Sequence, residues 1–360
     1  MPPLFGVQHF SNRLVINRSW EQEFRAEKVL AATRVLLAAA WFVAALAAPC
    51  LAQEVHPIPL TVLPWNGHKA AVSLTFDDAL PSHLDVAMPE LQKRGLHATF
   101  FVVIAKLQRL DEWKKLPSEA QEIGNHSVSH ARPAGMAPEQ EGTEVEDATH
   151  FLQGNLGVRA RTFAYPYSEI TPGLKDWVSR FCFAARTGFT GNYYLAPDST
   201  PDWYAIPGQL AKTQTPLSEY QGWVDKDVAA GTWTVFQIHG IGEARVGYEP
   251  IAPQTFTALL DYLKAKQAEG LWVASFGEVA GYWRAQKIFE GGKLVTQAQG
   301  AVMRWDVPPQ FPNGIVLKVK APAYLRLYQG GRQLAADNGV YSVALDAKAL
   351  TLVLGESDGK

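Results

Sequence analysis

The stretch AAVSLTFDDAL, residues 70–80, decides the fold class of this chain. Its first part is an apolar run interrupted only by small hydroxyl residues, which is typical of a strand buried on both faces of a sheet. Two carboxylates, Asp77 and Asp78, follow without a break. Adjacent residues in a regular strand point to opposite faces, so both can serve one site only if the strand ends there. Ala79-Leu80-Pro81 favours such an end, and strand ends are where β/α folds carry catalytic residues.

Strand-like runs alternate with helical patterns after this stretch, which predicts a parallel β/α sheet or barrel. Further strands are predicted at 97–103, 161–165, 181–185, 232–239 and 271–276. Helical spacing is present at 84–94, around 119–123, at about 139–153 and at 255–269. The last of these places Phe256, Leu259, Leu260 and Leu263 on one stripe, which indicates an amphipathic helix on a sheet. Residues 188–231 are predicted to be a long irregular segment.

The pattern changes after about residue 288. Short alternating runs at 315–320, 324–329 and 341–346 are separated by Gly330-Gly331 and Asn338-Gly339, which are hairpin signals. Residues 289–360 are therefore predicted to form a small all-β, β-sandwich-like domain.

The N-terminal part has the pattern of an export signal. An apolar run at 35–49 follows Arg34 and leads to an Ala-x-Ala-like end at Ala52. The run is shorter than the ~20 apolar residues that span a bilayer. We therefore expect residues 1–52 to be an N-terminal extension with a signal peptide cleaved near Ala52, and the protein to be secreted or periplasmic.

Composition narrows the function classes. The chain is 47% hydrophobic, as expected for a globular protein with a core, and its formal net charge is −2. There is no basic patch in the sequence, so nucleic acid is not an expected partner. Cys182 lies in the apolar stretch RFCFAA and is predicted to be a core residue rather than a nucleophile.

A second motif, HSVSH at 126–130, suggests a metal site. If the segment is helical, His126 and His130 lie on one face and can converge on one ion. Either carboxylate of the Asp pair would be a third ligand, leaving an open position for water on a zinc-like ion, while its neighbour acts as a base. A single such pair is more often a solvated turn, so the convergence of several motifs carries the interpretation. Ser127 stands where the zinc-protease helix signature needs a glutamate, which argues against that class.

His239 is a third candidate. It closes the apolar strand-like run VFQIH directly before Gly240 and would reach the same edge of the sheet. A histidine there can protonate a leaving group.

Together these motifs resemble a known family, the polysaccharide deacetylases with a NodB-like domain (carbohydrate esterase family 4). The resemblance covers roughly residues 65–288. It rests on Thr75-Phe76-Asp77-Asp78, the HSVSH segment at 126–130, Tyr165-Pro166-Tyr167 and Ile238-His239. It implies a distorted (β/α) barrel of the NodB type, which we assign to residues 53–288.

The resemblance also implies site roles. A divalent metal would be bound by Asp78, His126 and His130, with Zn²⁺ as the expected ion and Co²⁺, Ni²⁺ or Mn²⁺ as alternatives. Asp77 would be the general base, the backbone N–H of Tyr167 an oxyanion donor, and His239 the acid for the leaving group. Substrate binding is assigned to Tyr165, Pro166 and Trp203.

The chain departs from the family pattern at two places. Ala164 stands where many members have an arginine that contacts the base, so Arg161 or Arg186 is a candidate replacement. A clear aspartate-tryptophan motif before His239 is missing, and Asp202-Trp203 is the nearest match.

The leading functional hypothesis is a metal-dependent deacetylase that acts on an acetylated carbohydrate and releases acetate from N-acetylated sugars. One alternative keeps the chemistry but acts on O-acetyl esters, as on xylan. The other is a non-catalytic carbohydrate-binding protein on the same fold.

Overall fold

The structure is a computed structural model that describes residues 59–188, 193–242, 246–297 and 300–355. The predicted extension and signal peptide at 1–52 lie outside these residues. In the described ranges, no helix has the length and apolar character needed to cross a bilayer.

The strands of the barrel region and its flanks are short and mostly buried. In chain order they are β1 (Thr61–Val62), β2 (Ala70–Asp77), β3 (Thr99–Val102), β4 (Glu122–Asn125), β5 (Thr162–Ala164), β6 (Ala184–Arg186), β7 (Gln209–Leu210), β8 (Trp233–Ile238) and β9 (Leu271–Val273). The helices that accompany them are α1 (Met88–Arg94), α2 (Leu110–Trp113), α3 (Pro138–Phe151), α4 (Pro172–Phe181), α5 (Leu217–Ala230), α6 (Pro253–Gln267) and α7 (Phe276–Glu290).

Strand β2 is the centre of the parallel sheet, and all of its residues are buried. It pairs in parallel with β3, β8 and β9, and the sheet order is β6-β5-β4-β3-β2-β8-β7. Ile206 makes a parallel bridge to Arg186 of β6, and β7, which follows it, pairs with β8. The segment from Ile206 to β7 therefore joins the two edges of the sheet. The predicted distorted (β/α) barrel is confirmed.

The core explains why these segments fold as they do. Apolar residues of β2, β3 and β8 pack against α1 and α6, as expected for a parallel sheet covered by helices. The predicted stripe of α6, Phe256, Leu259, Leu260 and Leu263, is fully buried. Cys182 is also buried, as predicted.

Two local predictions were wrong. Residues 119–123 were expected to be helical, but β4 begins at Glu122 and leads into the HSVSH segment. The segment 188–231 was expected to be irregular, but it contains β7 and the helix α5. The helical pattern of α5 is weak in the sequence because the buried position that follows Tyr220 and Val224 is the polar residue Asp227. The Asp227 carboxylate accepts hydrogen bonds from Thr232 and Thr234.

The C-terminal strands form two antiparallel sheets. They are β10 (Lys293–Gln297), β11 (Gly300–Arg304), β12 (Val316–Lys320), β13 (Leu325–Gln329), β14 (Arg332–Gln333), β15 (Ala336–Asp337), β16 (Val340–Ala344) and β17 (Ala349–Leu354). One sheet has the order β1-β12-β16-β15 and the other β10-β11-β17-β13-β14. Gly330-Gly331 connects β13 to β14 and Asn338-Gly339 connects β15 to β16, all four residues with positive φ, so both hairpin predictions are confirmed. The domain division at residue 288 stays a prediction.

Candidate active site

The site lies where parallel strands end. Strands β2, β4, β5 and β8 are followed directly by Asp78, His126, Tyr165 and His239. Because parallel strands place their carboxyl ends at the same edge of a sheet, these residues meet there. A cavity of about 670 Å³ opens at this edge and is lined by residues from all four strand ends.

The two aspartates face the same site because the strand stops between them. Asp77 is the last residue of β2, and Asp78 and Ala79 have left-handed backbone, with φ of 84° and 54°. The Asp78 N–H donates to the carbonyl of Phe101, 3.2 Å away, which holds the turn. Left-handed backbone is uncommon for residues other than glycine and tends to persist at functional sites.

Asp78, His126 and His130 offer one ligand atom each, and these three atoms lie within 4.8 Å of one another. Asp78 Oδ1 is 3.5 Å from His130 Nε2 and 4.0 Å from His126 Nε2. One carboxylate oxygen and two imidazole nitrogens are a donor set that zinc and similar divalent ions accept, with a further position open. The structure therefore brings the predicted ligands together in an arrangement that fits a metal ion.

The HSVSH segment reaches this geometry as a loop, so the helical interpretation of the histidine spacing was wrong. Ser127 and His130 have positive φ, 71° and 59°. The Ser127 N–H donates to the Asn125 side chain (2.7 Å), and the His130 N–H donates to the Ser127 hydroxyl (2.9 Å). Nearby polar side chains therefore replace the hydrogen bonds that a helix would have supplied.

A single hydrogen bond orients His126. Its Nδ1 lies 2.7 Å from the carbonyl of Ala164, and because a carbonyl can only accept, Nδ1 carries the proton. Nε2 is then left as the acceptor that faces Asp78. Fixing a metal-binding histidine through its other nitrogen is common in metal sites.

Asp77 is bound by a buried arginine, and both side chains are 1% exposed. Arg186 Nη2 donates to both carboxylate oxygens, at 2.7 and 2.5 Å, and Gln237 Nε2 donates to Oδ2 at 3.0 Å. Burial acts to raise the pKa of Asp77, but the charge and hydrogen bonds of Arg186, together with His126 and His239, lower it to about 2. Asp77 is therefore ionised at neutral pH.

Of the two candidate arginines, Arg186 is thus the one that contacts Asp77. Arg186 ends strand β6 and so lies at the edge where the site is, whereas Arg161 precedes β5 at the opposite edge. Arg161 donates instead to the backbone carbonyls of Phe311 and Gln310. The sequence analysis left Arg161 and Arg186 as equal candidates. The signal that could have separated them is that Arg186 directly follows the predicted strand at 181–185, whereas Arg161 begins the predicted strand at 161–165.

His239 follows β8, and its Nε2 is 3.8 Å from Asp77 Oδ2. Burial lowers the pKa of His239, while the nearby aspartates act to raise it. Its Nδ1 has no hydrogen-bond partner within the described residues. Asp202 does not supply one, because it forms an ion pair with Lys175. Asp202-Trp203 therefore does not take the place of the missing aspartate-tryptophan motif, because Asp202 does not contact His239.

His83 is a site neighbour that the sequence did not single out. Its Nε2 lies 2.8 Å from the backbone carbonyl of His239 and must donate to it. Because His83 begins the helical segment His83–Ala87 that leads into α1, no strand end pointed to it.

The predicted substrate residues divide into two groups. Tyr165 and Tyr167 line the cavity. Pro166 begins the short helical turn Pro166–Ser168, in which Tyr167 has a φ of 56°. The ring of Tyr167 is 4.6 Å from that of His130. Trp203 lies elsewhere, since its ring packs 5.1 Å from Trp283 in the aromatic cluster beside α7. The catalytic and binding roles of all these residues stay predictions.

Comparison with known proteins agrees with the motifs. Residues 66–181 match the family model described as polysaccharide deacetylase, which confirms the resemblance over about a third of the chain. Arg186 and His239 lie beyond the matched range.

Two relatives and the crystal structure of one of them illustrate the similarity. A gellan lyase from Bacillus sp is 25% identical over 239 residues, covering 61% of this chain and 10% of the relative. A peptidoglycan-N-acetylmuramic acid deacetylase, PdaC of Bacillus subtilis, is 28% identical over 111 residues, covering 30% of this chain and 24% of the relative. The crystal structure of PdaC aligns with a TM-score of 0.42 at 19% identity, covering 61% of this chain and 93% of that one. The chain thus spans well under half of the length of these curated relatives.

Proposed function

We propose that this protein is a metal-dependent hydrolase that removes acetyl groups from N-acetylated sugars of a poly- or oligosaccharide and releases acetate. The observation that carries the proposal is the set of Asp78, His126 and His130 ligand atoms within 4.8 Å of one another, beside an ionised Asp77. Deacetylation needs a cation that polarises the acetyl carbonyl and a base beside that cation. This arrangement supplies positions for both.

The ion proposed for this site is Zn²⁺, with Co²⁺, Ni²⁺ or Mn²⁺ as alternatives that accept the same donors. A divalent ion held there would polarise the acetyl carbonyl and lower the pKa of water. The protein's own contribution is to orient the ligands, chiefly through the His126 bond to the Ala164 carbonyl.

Asp77 is proposed to accept the proton of the attacking water. Arg186 and Gln237 hold its carboxylate in place and keep it ionised. His239 lies 3.8 Å from it and is proposed to give a proton to the departing sugar nitrogen. The backbone N–H of Tyr167 is proposed to stabilise the oxyanion, with Tyr165 and Tyr167 forming the groove wall.

The amide substrate is supported by the relatives, two of which are named peptidoglycan deacetylases for N-acetylmuramic acid and N-acetylglucosamine. Acetate release should be measured from chitin oligomers, peptidoglycan and acetylated xylan, before chelation, after it, and after zinc is restored. We expect release from the N-acetylated substrates that is lost on chelation and regained with zinc. Release from xylan alone would select the esterase, and zinc binding without any acetate would favour a non-catalytic protein.

Two variants separate the proposed roles. Asp77→Asn should lower acetate release by at least about 1,000-fold while zinc stays bound, because the base is lost but the ligands remain. His126→Ala should lose zinc, because one of three protein ligands is removed. Zinc content by elemental analysis, with acetate release, is the measurement, and equal zinc retention in both variants would contradict the assignment.

We also propose that the protein is exported. The support is the apolar run at 35–49 with its small-residue end at Ala52. Mass determination of the mature protein from its native host would test this, and a mature chain that retains residues before Ala52 would contradict it.

A further inference from the structure

Two cationic side chains line the candidate active-site cavity without a part in the proposed chemistry. Lys106 and Arg132 line the cavity together with Asp78 and the histidines, and their side chains are 43% and 60% exposed. A neutral acetylated sugar would make little use of two such charges. Their placement therefore bears on the substrate.

Lys106 contacts a metal-ligand atom directly. Its Nζ donates to Asp78 Oδ1 at 2.9 Å, and Oδ1 is also the oxygen that faces His126 and His130. A divalent ion held by these three residues would compete with the ammonium group for that oxygen and repel it. The flexible lysine would then be available to an anion in the cavity.

Arg132 is placed by an aromatic ring. Its guanidinium lies 4.0 Å from the ring centre of Tyr167, and that ring is 4.6 Å from His130. One of its N–H groups is paired with Glu169, which leaves several donors of the planar group for another acceptor. A stacked arginine with free donors is suited to a carboxylate, which it can bind through two parallel hydrogen bonds.

The charges nearest the chemistry are otherwise balanced. Arg186 neutralises the charge of Asp77. A divalent ion bound to Asp78 would carry two positive charges against the single negative charge of that carboxylate. Glu169 offsets the charge of Arg132, so with the ion in place the excess positive charge of the cavity comes from the ion and Lys106, while Arg132 still offers hydrogen-bond donors. This positive charge attracts an anionic group and raises its local concentration.

We propose that the cavity accepts an N-acetylated sugar unit that carries a carboxylate close to its acetamide group, so that the substrate is an acidic glycan. Lys106 and Arg132 are the residues that recognise the carboxylate. This inference rests on the proposed deacetylase function and names its substrate class.

Paired probes test it. One is a tetrasaccharide of alternating N-acetylglucosamine and N-acetylmuramic acid, and the other is the same compound with its carboxylates reduced to alcohols. Binding to the full-length, zinc-loaded Asp77→Asn variant is measured by calorimetry, so that the result does not depend on turnover. We expect the carboxylated probe to bind at least about tenfold more tightly than the reduced one.

Three additional substitutions in the same background identify the residues. Lys106→Gln and Arg132→Gln should each move the ratio of the two affinities most of the way to one. Lys264→Gln, the same charge change on an exposed residue of α6, should leave the ratio as it was. Lys106→Gln should also bind zinc at least as tightly as the parent, because a competing cation is removed.

The outcomes separate this inference from the proposed function. A preference for the carboxylated probe, lost in Lys106→Gln and Arg132→Gln, supports the inference even if the parent enzyme releases no acetate. Acetate release from both probes with equal affinity for them would leave the deacetylase intact and overturn the acidic substrate. Loss of zinc in Lys106→Gln, or no binding of either probe, would overturn it as well.

Discussion

Asp77 and Arg186 form the ion pair on which the electrostatics of the site depend. Both are buried, and the pair connects the end of β2 with the end of β6. Charges removed from water are costly unless they are paired, so each residue depends on the other. Arg186 therefore has a structural role in addition to setting the protonation of Asp77.

Removal of the arginine alone should destabilise the protein. Arg186→Met leaves a buried carboxylate without its partner and should lower the free energy of unfolding by about 3–5 kcal/mol. The double variant Asp77→Asn with Arg186→Met should recover much of that loss, because the unpaired charge is gone. Urea denaturation of both single variants and the double variant is the measurement. Simple addition of the two single effects would show that the residues are not coupled.

His83 makes the stability of the fold depend on pH. Burial lowers its pKa from the usual 6.5 to about 4, although the His239 carbonyl and the nearby Asp77 and Asp78 act in the opposite direction. Its ring lies among aromatic side chains, with centres 5.4 Å from Phe76 and 5.8 Å from Phe100. The folded protein thus keeps His83 neutral.

The unfolded chain binds a proton at this histidine below pH 6.5, whereas the folded chain resists until about pH 4. The stabilising contribution is therefore present above pH 6.5 and is lost as pH falls towards 4. It amounts to about 3 kcal/mol at about 1.4 kcal/mol for each pKa unit. His83→Gln, which retains a donor for the His239 carbonyl, should flatten the decrease of unfolding free energy between pH 6.5 and 4 relative to the parent. Identical pH profiles would rule out this role for His83.

At the scale of elements, β4 shows how a strand positions the histidines. The strand ends at Asn125, whose side chain donates to the carbonyl of Val145 and to the hydroxyl of Thr149 on α3. The same side chain accepts from the Ser127 N–H. One residue thus connects strand, helix and ligand loop.

Gly124 is the position in β4 where a side chain has no room. A Cβ there would lie 2.4 Å from the ring of Phe101 and 2.9 Å from the Thr162 hydroxyl. Gly124→Ala should lower the free energy of unfolding by about 1–3 kcal/mol and also weaken zinc binding, because β4 leads directly into His126. Gly154→Ala is the matched control in the helical turn after α3, where a Cβ meets nothing within 4 Å. The control should be neutral or stabilising by up to about 1 kcal/mol, and equal effects of the two changes in thermal denaturation would contradict the packing argument.

At the scale of the molecule, the barrel and the C-terminal sheets share contacts. Strand β1, which precedes the barrel, pairs with β12, and Arg161 donates to the Phe311 carbonyl. Tyr282 of α7 donates its hydroxyl to the Leu63 carbonyl at 2.8 Å and accepts from the Lys318 N–H at 3.1 Å. These contacts hold the two antiparallel sheets against the barrel at the edge remote from the cavity.

Tyr282→Phe should therefore destabilise the whole protein without affecting catalysis. The change leaves one carbonyl and one N–H without their partner, at a cost of about 1–2 kcal/mol in unfolding free energy. Tyr324→Phe, at an exposed tyrosine, is the control and should have no effect. Chemical denaturation together with the KM for acetate release provides the readout. A change in KM with unchanged stability would place Tyr282 in a functional role instead.

Much of the architecture could be predicted from local patterns. Periodicity identified β2, β8 and α6 because burial on one or two faces imposes it, and Gly330-Gly331 and Asn338-Gly339 marked hairpins because those turns need positive φ. The predicted ends of β2, β5 and β8 pointed to the site because parallel strands bring their carboxyl ends to one edge, whereas β4, the strand that leads into HSVSH, was missed. A short polar motif directly after a predicted strand thus indicated which residues lie close together in the tertiary structure.

Local patterns could not supply the contacts made between distant segments. The sequence by itself determined the class of fold, the residues at the strand ends and their likeness to a deacetylase. Only the tertiary structure decided that Arg186 rather than Arg161 binds Asp77, that Trp203 joins an aromatic cluster away from the cavity, and that the two histidines converge through a loop. The physical reason is that each of these depends on the order and register of strands far apart in the chain, whereas periodicity records only which face of a segment is buried.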